Sequence, residues 1–226
     1  GFATLSAPPA CWRDSIARRC QAHGWTHWID PLCAWLQQFV AAPLALSALN
    51  GMTPATFTLA GLEAPLAEME FWMAVRQTEV AQIDRLVTEL TLDAAPRPTL
   101  QAGQLNGLLK GFIDLVLAHD GRYYVLDYKS NWLGPDATAY APAALREVIL
   151  QERYELQYVL YLLALHRHLR ARLPDYAYDR HIGGAVYVFL RGLGAPAQGL
   201  HVERPPGDLV ETLDAWLAGA AAGASS

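Results

Sequence analysis

The sequence predicts an α/β or α+β fold, a central sheet flanked by helices and preceded by a helical lobe. Apolar residues at helical spacing open the chain, and apolar runs of strand length fill its middle. Long helical stretches then separate the last of those runs from its predecessors. The 226 residues are 53% hydrophobic and 17% charged, enough for a real core and too apolar for a disordered tail. One compact domain is the expected size, with a helical part at 1–50 and the core at 51–226.

Residues 11–50 carry Trp12, Ile16, Trp35, Leu36, Phe39 and Val40 at helical spacing, which predicts two helices. Ala55–Leu62 and Ala64–Val75 predict strands around a Gly61-Leu62-Glu63 turn, and Glu79–Leu90 a helix ended before Pro96 and Pro98. Residues 93–106, rich in Ala, Pro and Gln, predict a loop. Leu108–Ala118 and Arg122–Lys129 form the clearest element, a hairpin whose Asp120-Gly121 pair accepts the positive φ of a type I′ turn. Helices follow at about 138–150 and 151–172, stopped by Pro174. Gly184–Arg191 is a further strand, and a last helix at about 207–219 precedes an Ala/Gly/Ser tail.

Composition excludes several classes. Net charge is −5, with 22 acidic against 17 basic residues, so bulk positive field is not how this chain would hold nucleic acid. No Gly-Lys-Ser/Thr phosphate loop is present, which removes a recognisable ATPase. Cys11, Cys20 and Cys33 form no Cys-x-x-Cys pair, so buried free thiols are expected rather than disulfides or a metal cage. Apolar runs too short to cross a bilayer, and Gly1-Phe2-Ala3-Thr4 without a basic leader, point to a soluble, cytoplasmic chain with no membrane partner. Only two lysines occur, Lys110 and Lys129.

The hairpin concentrates the chemistry. With Asp120 and Gly121 central in the turn, Asp114 stands opposite Asp127. Their Cβ atoms should lie about 4.5–5.5 Å apart, an arrangement that destabilises a sheet. Lys129 shares the face, diagonal to Asp114. The surrounding residues, among them Leu108, Leu109, Phe112, Ile113 and Leu115–Leu117, predict a strand pair buried on both faces. A divalent ion would relieve two anions so placed, and oxygen donors with an open shell suit Mg²⁺. A structural triad, with Lys129 neutralising both acids, fits the same residues.

The spaced Asp114, Asp127 and Lys129 resemble the Asp…(Asp/Glu)-x-Lys core of the restriction-endonuclease-like PD-(D/E)xK nuclease superfamily. Over a longer span, LKGFIDLVLAHDGRYYVLDYKSNWLG (109–134), RYELQYVLYLLALHRHLR (153–170) and GGAVYVFLRG (183–192) closely resemble the C-terminal nuclease domains of RecB-type subunits of RecBCD helicase-nucleases. That resemblance implies a restriction-endonuclease-like core with a mixed sheet and a metal-dependent deoxyribonuclease of the exodeoxyribonuclease V type. Asp114, Asp127 and the backbone carbonyl of Tyr128 are then metal ligands and Lys129 the catalytic lysine. The cofactor is Mg²⁺, with Mn²⁺ or Ca²⁺ substituting in binding.

Gln157 and Tyr161 match the family's Gln-x-x-x-Tyr motif and share a helix face, from which both can reach DNA or Lys129; ordinary helix packing is the other reading. Ser130, Asn131 and Trp132 follow the catalytic strand, where a loop can meet the sugar-phosphate backbone or stack a base. Arg167, Arg170 and Arg172 crowd the end of the long helix, either complementing its dipole or contacting phosphate. Glu70 resembles a strand position before the active-site hairpin; an exposed strand edge is its simpler reading. The family also carries a metal-binding histidine on an upstream helix. No segment here matches it, and His23 and His27 do not fit, so the chain alone is expected to be weak or inactive. Implied partners are single-stranded DNA and duplex ends, RecC-like and RecD-like subunits, and RecA. The implied role is DNA processing in double-strand break repair and recombination, and the rival role is a docking module for RecA and the partner subunits.

Overall fold

The computed structural model describes residues 9–46, 55–62, 65–195 and 199–219. The expected start of a strand at Ala64, the side chain of Cys11 and the Ala/Gly/Ser tail lie outside them. The elements are α1 (Pro9–Ala22), α2 (Ile29–Ala41), β1 (Leu44–Leu46), β2 (Ala55–Phe57), β3 (Leu66–Glu79), α3 (Val80–Leu90), β4 (Gln104–His119) and β5 (Arg122–Lys129). They continue with α4 (Pro142–Gln151), α5 (Tyr154–Arg170), α6 (Tyr178–His181), β6 (Ile182–Phe189), β7 (Leu200–Glu203) and α7 (Gly207–Leu217). Five strands form one sheet in the order β3-β4-β5-β6-β7, parallel only at β5–β6, so the sheet is mixed as expected.

Asp120 and Gly121 take φ of 49° and 72°, the positive values a type I′ turn needs. The β4–β5 ladder runs from His119↔Arg122 to Leu115↔Leu126 in the expected register. It ends one step short of Asp114 and Asp127. From there towards its N-terminus β4 pairs with β3 alone, from Ile113↔Met69 to Gln104↔Glu79. The strands therefore part where the acids stand.

Helices cover both faces of the sheet. On one, Ile113, Val116, Val125, Tyr187 and Phe189 pack with residues of α3, α4, α5 and α7. On the other, Leu115, Leu117, Tyr124, Leu126, Val186 and Val188 pack with Phe39 and Val40 of α2 and with β1 and β2. The helical N-terminal segment is thus the second cover of the sheet. Its second helix also stops at Ala41, before β1, so the stretch expected to be helical to residue 50 contains a strand.

Other departures have local causes. Ala55–Leu62 is strand only to Phe57, because Thr58 Oγ1 accepts a 3.1 Å bond from Gly61 N and caps a 3₁₀ turn. The two expected helices are there as α4 and α5, parting between Gln151 and Tyr154, where Arg153 adopts φ 55°. Pro142, at the first turn, sets the start of α4. The hairpin is not buried on both faces: Leu108 is 62% and Phe112 49% exposed, and Trp72 of β3 lies open on the same face. That outer face of β3–β4 lies beyond the cover of α2, β1 and β2. β1 and β7, three and four residues long, were too short to stand out. Cys20 is buried and Cys33 half-buried, both free, and among the described residues no helix is long and apolar enough to cross a membrane.

Glu203 of β7 ties the sheet to its helical cover. Its carboxylate accepts from the Tyr158 hydroxyl at 2.5 Å and from Leu92 N at 3.0 Å, with His201 Nε2 3.5 Å away. Burial alone would raise its pKa, but these partners outweigh burial and hold it below the ordinary 4.5. A depressed folded-state pKa adds stability above the unfolded value that is lost as pH falls through the folded one. Glu203→Gln should therefore destabilise the chain by about 1–2 kcal/mol at neutral pH, and urea titrations should show that difference shrinking as pH drops below 4.5.

Candidate functional site

The expected acids and lysine meet where β4 and β5 separate. Lys129 Nζ lies 2.7 Å from Asp127 Oδ2, and both side chains are nearly buried, at 11% and 7% exposure. Asp114 is half-buried, and its Oδ2 accepts a 3.0 Å bond from Tyr128 N. With the ladder ended, this amide has the carboxylate in place of a carbonyl across the sheet. In an extended strand the N–H and C=O of one residue leave by the same edge, so the Tyr128 carbonyl also leaves on the side of Asp114.

Asp114 reaches this position through a change of faces. Before it, Ile113 packs in the core beneath α5; after it, Leu115 and Leu117 pack in the opposite core and Val116 takes the α5 side. On β3 the change falls between Ala67 and Met69, at Glu68, whose φ is 53°. Irregular backbone of this kind re-aims a side chain, which strict alternation would have left on one face.

Electrostatics bind the acids into one site. Burial raises the Asp127 pKa above the ordinary carboxylate range; Lys129 opposes that shift and the charge of Asp114 adds to it. The Tyr161 hydroxyl is pushed up to about 12, by burial first and then by Asp127 and, to a smaller extent, Asp114, against an opposing hydrogen bond from Gln157. Tyr187 is raised further, again by burial and then Asp127.

Helix α5 supplies the lid. Gln157 Oε1 accepts from Lys129 Nζ at 2.7 Å and from the Tyr187 hydroxyl at 2.9 Å. Its Nε2 donates to the Tyr161 hydroxyl at 2.7 Å. Lys129 Nζ also sits 4.0 Å from the ring centroid of Tyr154 and 4.8 Å from that of Tyr187, at cation–π range. Asn131 Nδ2 donates to the Tyr154 hydroxyl at 3.3 Å, and the Ser130 carbonyl accepts from Arg191 Nε at 3.0 Å. Gly111 lets Phe71 cross β4, since a Cβ there would lie 2.3 Å from the ring, and Phe71 in turn packs edge-on to Tyr161 at 5.9 Å.

Buried ion pairs set the start of α5. Arg153 meets Asp84 at 2.7 Å and Glu155 at 2.6 Å, while Arg97 reaches Glu155 at 3.4 Å. Leu100 N donates to Asp84 at 3.1 Å, which ties down the segment before β4. Such a network costs desolvation, but removing one member would leave a buried charge unmatched.

Not every expected residue arrives here. Arg167 pairs with Asp214 of α7, and Arg170 reaches the same carboxylate at 2.9 Å. Ten residues of helix, about 15 Å, separate Arg167 from Gln157. Lys110 pairs with Glu70 at 2.8 Å on the outer face, with Trp72 Nε1 donating to Glu70 at 2.7 Å. His23 and His27 are exposed on the N-terminal segment. Among the described residues, no group of three or more His, Cys, Asp or Glu is placed to hold a metal ion; the acids that meet at the site are Asp114 and Asp127. Tyr187, paired with Asp127 across β5–β6, was missed. Its signal was a hydroxyl in an otherwise apolar strand, which when buried needs a partner.

Gln157→Leu should cost Lys129, Tyr161 and Tyr187 one hydrogen bond each, lowering stability by about 1–3 kcal/mol. A shift in the urea midpoint at unchanged slope would register it.

The PD-(D/E)XK nuclease superfamily matches residues 32–225. The chain is 41% identical over 197 residues to the "RecBCD enzyme subunit RecB" of Escherichia coli K12, covering 86% of this chain and 16% of that protein. The subunit of the same description from Haemophilus influenzae is 40% identical, covering 82% and 15%. That of Mycobacterium tuberculosis is 46% identical over 123 residues, covering 50% and 11%.

Proposed function

Because the chain belongs to the PD-(D/E)XK nuclease superfamily, we propose that it is the Mg²⁺-dependent DNA nuclease portion of a RecB-like helicase-nuclease that processes DNA ends in double-strand break repair. The observation that carries this reading is the Lys129 ammonium, held 2.7 Å from the Asp127 carboxylate and 2.7 Å from the Gln157 amide oxygen, beside Asp114. The chain spans about one sixth of its curated relatives, and the activity and partners of the whole assembly are part of the proposal.

The donor set suits the ion. Asp114, Asp127 and the Tyr128 carbonyl are hard oxygen donors, and Asp127, whose pKa burial raises and Asp114 raises further, is a carboxylate whose charged form a cation would favour. A bound Mg²⁺, for which Mn²⁺ or Ca²⁺ can substitute in binding, supplies positive charge against the phosphate oxygens and acidifies water.

The remaining work belongs to the chain's own residues. Lys129 donates an N–H to the attacking water and holds it in line with the scissile bond. The water oxygen bonds to phosphorus and releases a proton to solvent, the P–O ester bond breaks, and the leaving oxygen takes up a proton from solvent. Gln157 keeps the ammonium in place; Tyr154 and Tyr187 shield it from bulk water. Ser130 and Asn131, next along the chain, contact the strand being cut.

Asp127→Ala should abolish Mg²⁺-dependent cutting of linear and single-stranded DNA. Lys129→Gln should lower the rate by a factor on the order of 10²–10⁴ while leaving Ca²⁺ binding in place. Equal cutting by wild type and Asp127→Ala in a gel assay would remove Asp127 from the mechanism.

The uncovered outer face of β3–β4, with Trp72, Leu108 and Phe112 about half exposed or more, favours a second role beside the first. Apolar patches of this kind mark contact sites. The role is docking onto RecC-like and RecD-like subunits and onto RecA. Immobilised Asp114→Ala/Asp127→Ala chain should still retain purified RecA; loss of retention in the double variant would tie docking to the acids.

A further inference from the structure

We infer that the cleft beside the end of β5, walled by Trp132 and Arg191, is a stacking subsite for a base of single-stranded DNA flanking the scissile phosphate. The inference rests on the nuclease reading and adds to it the part of the substrate that this wall holds.

The segment after Lys129 runs into an open cleft of about 410 Å³, lined among others by Trp132, Asp136, Tyr140, Arg191 and Leu193. That volume falls in the range of small-molecule sites and admits one nucleotide unit. Trp132 is 65% exposed, more than any other large apolar side chain described. An indole so placed wets a large apolar face with no packing return, and a stacked base would cover it.

The wall is rigid. Leu133 N donates to the Tyr140 hydroxyl at 3.2 Å, and Tyr140 is buried. Gly134 lies so close to Ala139 that a Cβ there would stand 2.7 Å from its methyl group. Asp136 accepts from Thr138 N at 3.0 Å and Thr138 Oγ1 at 2.6 Å, so its carboxylate is engaged in capping a turn. The backbone that carries the indole is thus held before any ligand arrives, which limits the ordering left to binding.

Arg191 supplies charge and registration. Its Nε donates to the Ser130 carbonyl at 3.0 Å, which anchors the guanidinium one residue from Lys129. Among the described residues no acid pairs with it, and its terminal nitrogens are available to a phosphate oxygen. An aromatic face beside an unpaired cation, continuous with the catalytic strand, is the combination by which single strands are held without reading sequence.

The test compares binding of a strand of about eight thymidylates with binding of the abasic strand of equal length. The full chain is used in EDTA, and fluorescence anisotropy gives the affinities. Wild type should bind the abasic strand about tenfold more weakly. Trp132→Ala should bind both strands alike, Trp132→Phe should restore the preference, and Arg191→Gln should weaken both strands together. Thermal unfolding should be unchanged in all three, because both side chains are exposed. A Trp132→Ala chain that keeps the wild-type preference, while wild type cuts DNA with Mg²⁺, overturns the subsite and leaves the nuclease standing. A preference lost in Trp132→Ala, with cutting undiminished in Asp127→Ala, supports the subsite and overturns the catalytic assignment. A wild-type chain that binds neither strand overturns the subsite.

Discussion

The site depends on a carboxylate that water barely reaches. Asp127, 5% exposed, loses most of its hydration on folding, and in that setting a lone anion would cost several kcal/mol. Lys129 answers the charge two residues along the same strand. The ammonium then needs its own partners, and these come from elements distant in sequence: an amide and an aromatic face on α5, a second aromatic face on β6. Each group in the chain of contacts is there because the previous one was left incomplete. A metal ion brought to Asp114 and Asp127 would take over the neutralising role and free Lys129 for the substrate.

The sheet makes this possible by ceasing to be regular at one place. β4 leaves β5 at Leu115 and continues with β3 alone, and at the parting point the backbone amide of Tyr128 is satisfied by a side chain. Two strands exchange core faces at the level of Glu68 and Asp114, with Glu68 held at positive φ. A non-glycine residue in that region stores strain, here beside the acids. The parallel β5–β6 crossover then lays α5 over the opening, and the buried pairs of Arg153 with Asp84 and Glu155 fix where that helix begins. Tyr154 and Gln157, in its first turn, owe their position over Lys129 to that anchor.

Much of this was legible in the chain itself. The Asp120-Gly121 pair specified the turn, the turn specified the register, and the register brought two acids and a lysine together. Gln157 and Tyr161, four apart on a helix, were legible as a pair. The roles of Arg167 and Arg170 were not, because a helix end looks the same whether its cations face a phosphate or an aspartate from another helix. The apolar run of β4 suggested burial on both faces, yet composition does not say how far a neighbouring layer extends; α2, β1 and β2 stop short, and Leu108 and Phe112 stay open.

By itself the sequence determined what short-range chemistry can determine: the hairpin with its acids and lysine, the alternation of helices and strands, and the family resemblance. Only the tertiary structure decided that the two strands part beside the acids, that Tyr187 and Tyr154 close over the lysine, and that Trp132 stands in an open cleft with Arg191 behind it. The division follows from range. Turn geometry and strand register act over a few residues and are written locally, whereas the depth of a carboxylate, the partner of a hydroxyl and the exposure of an indole depend on which distant surfaces the fold brings to rest against them.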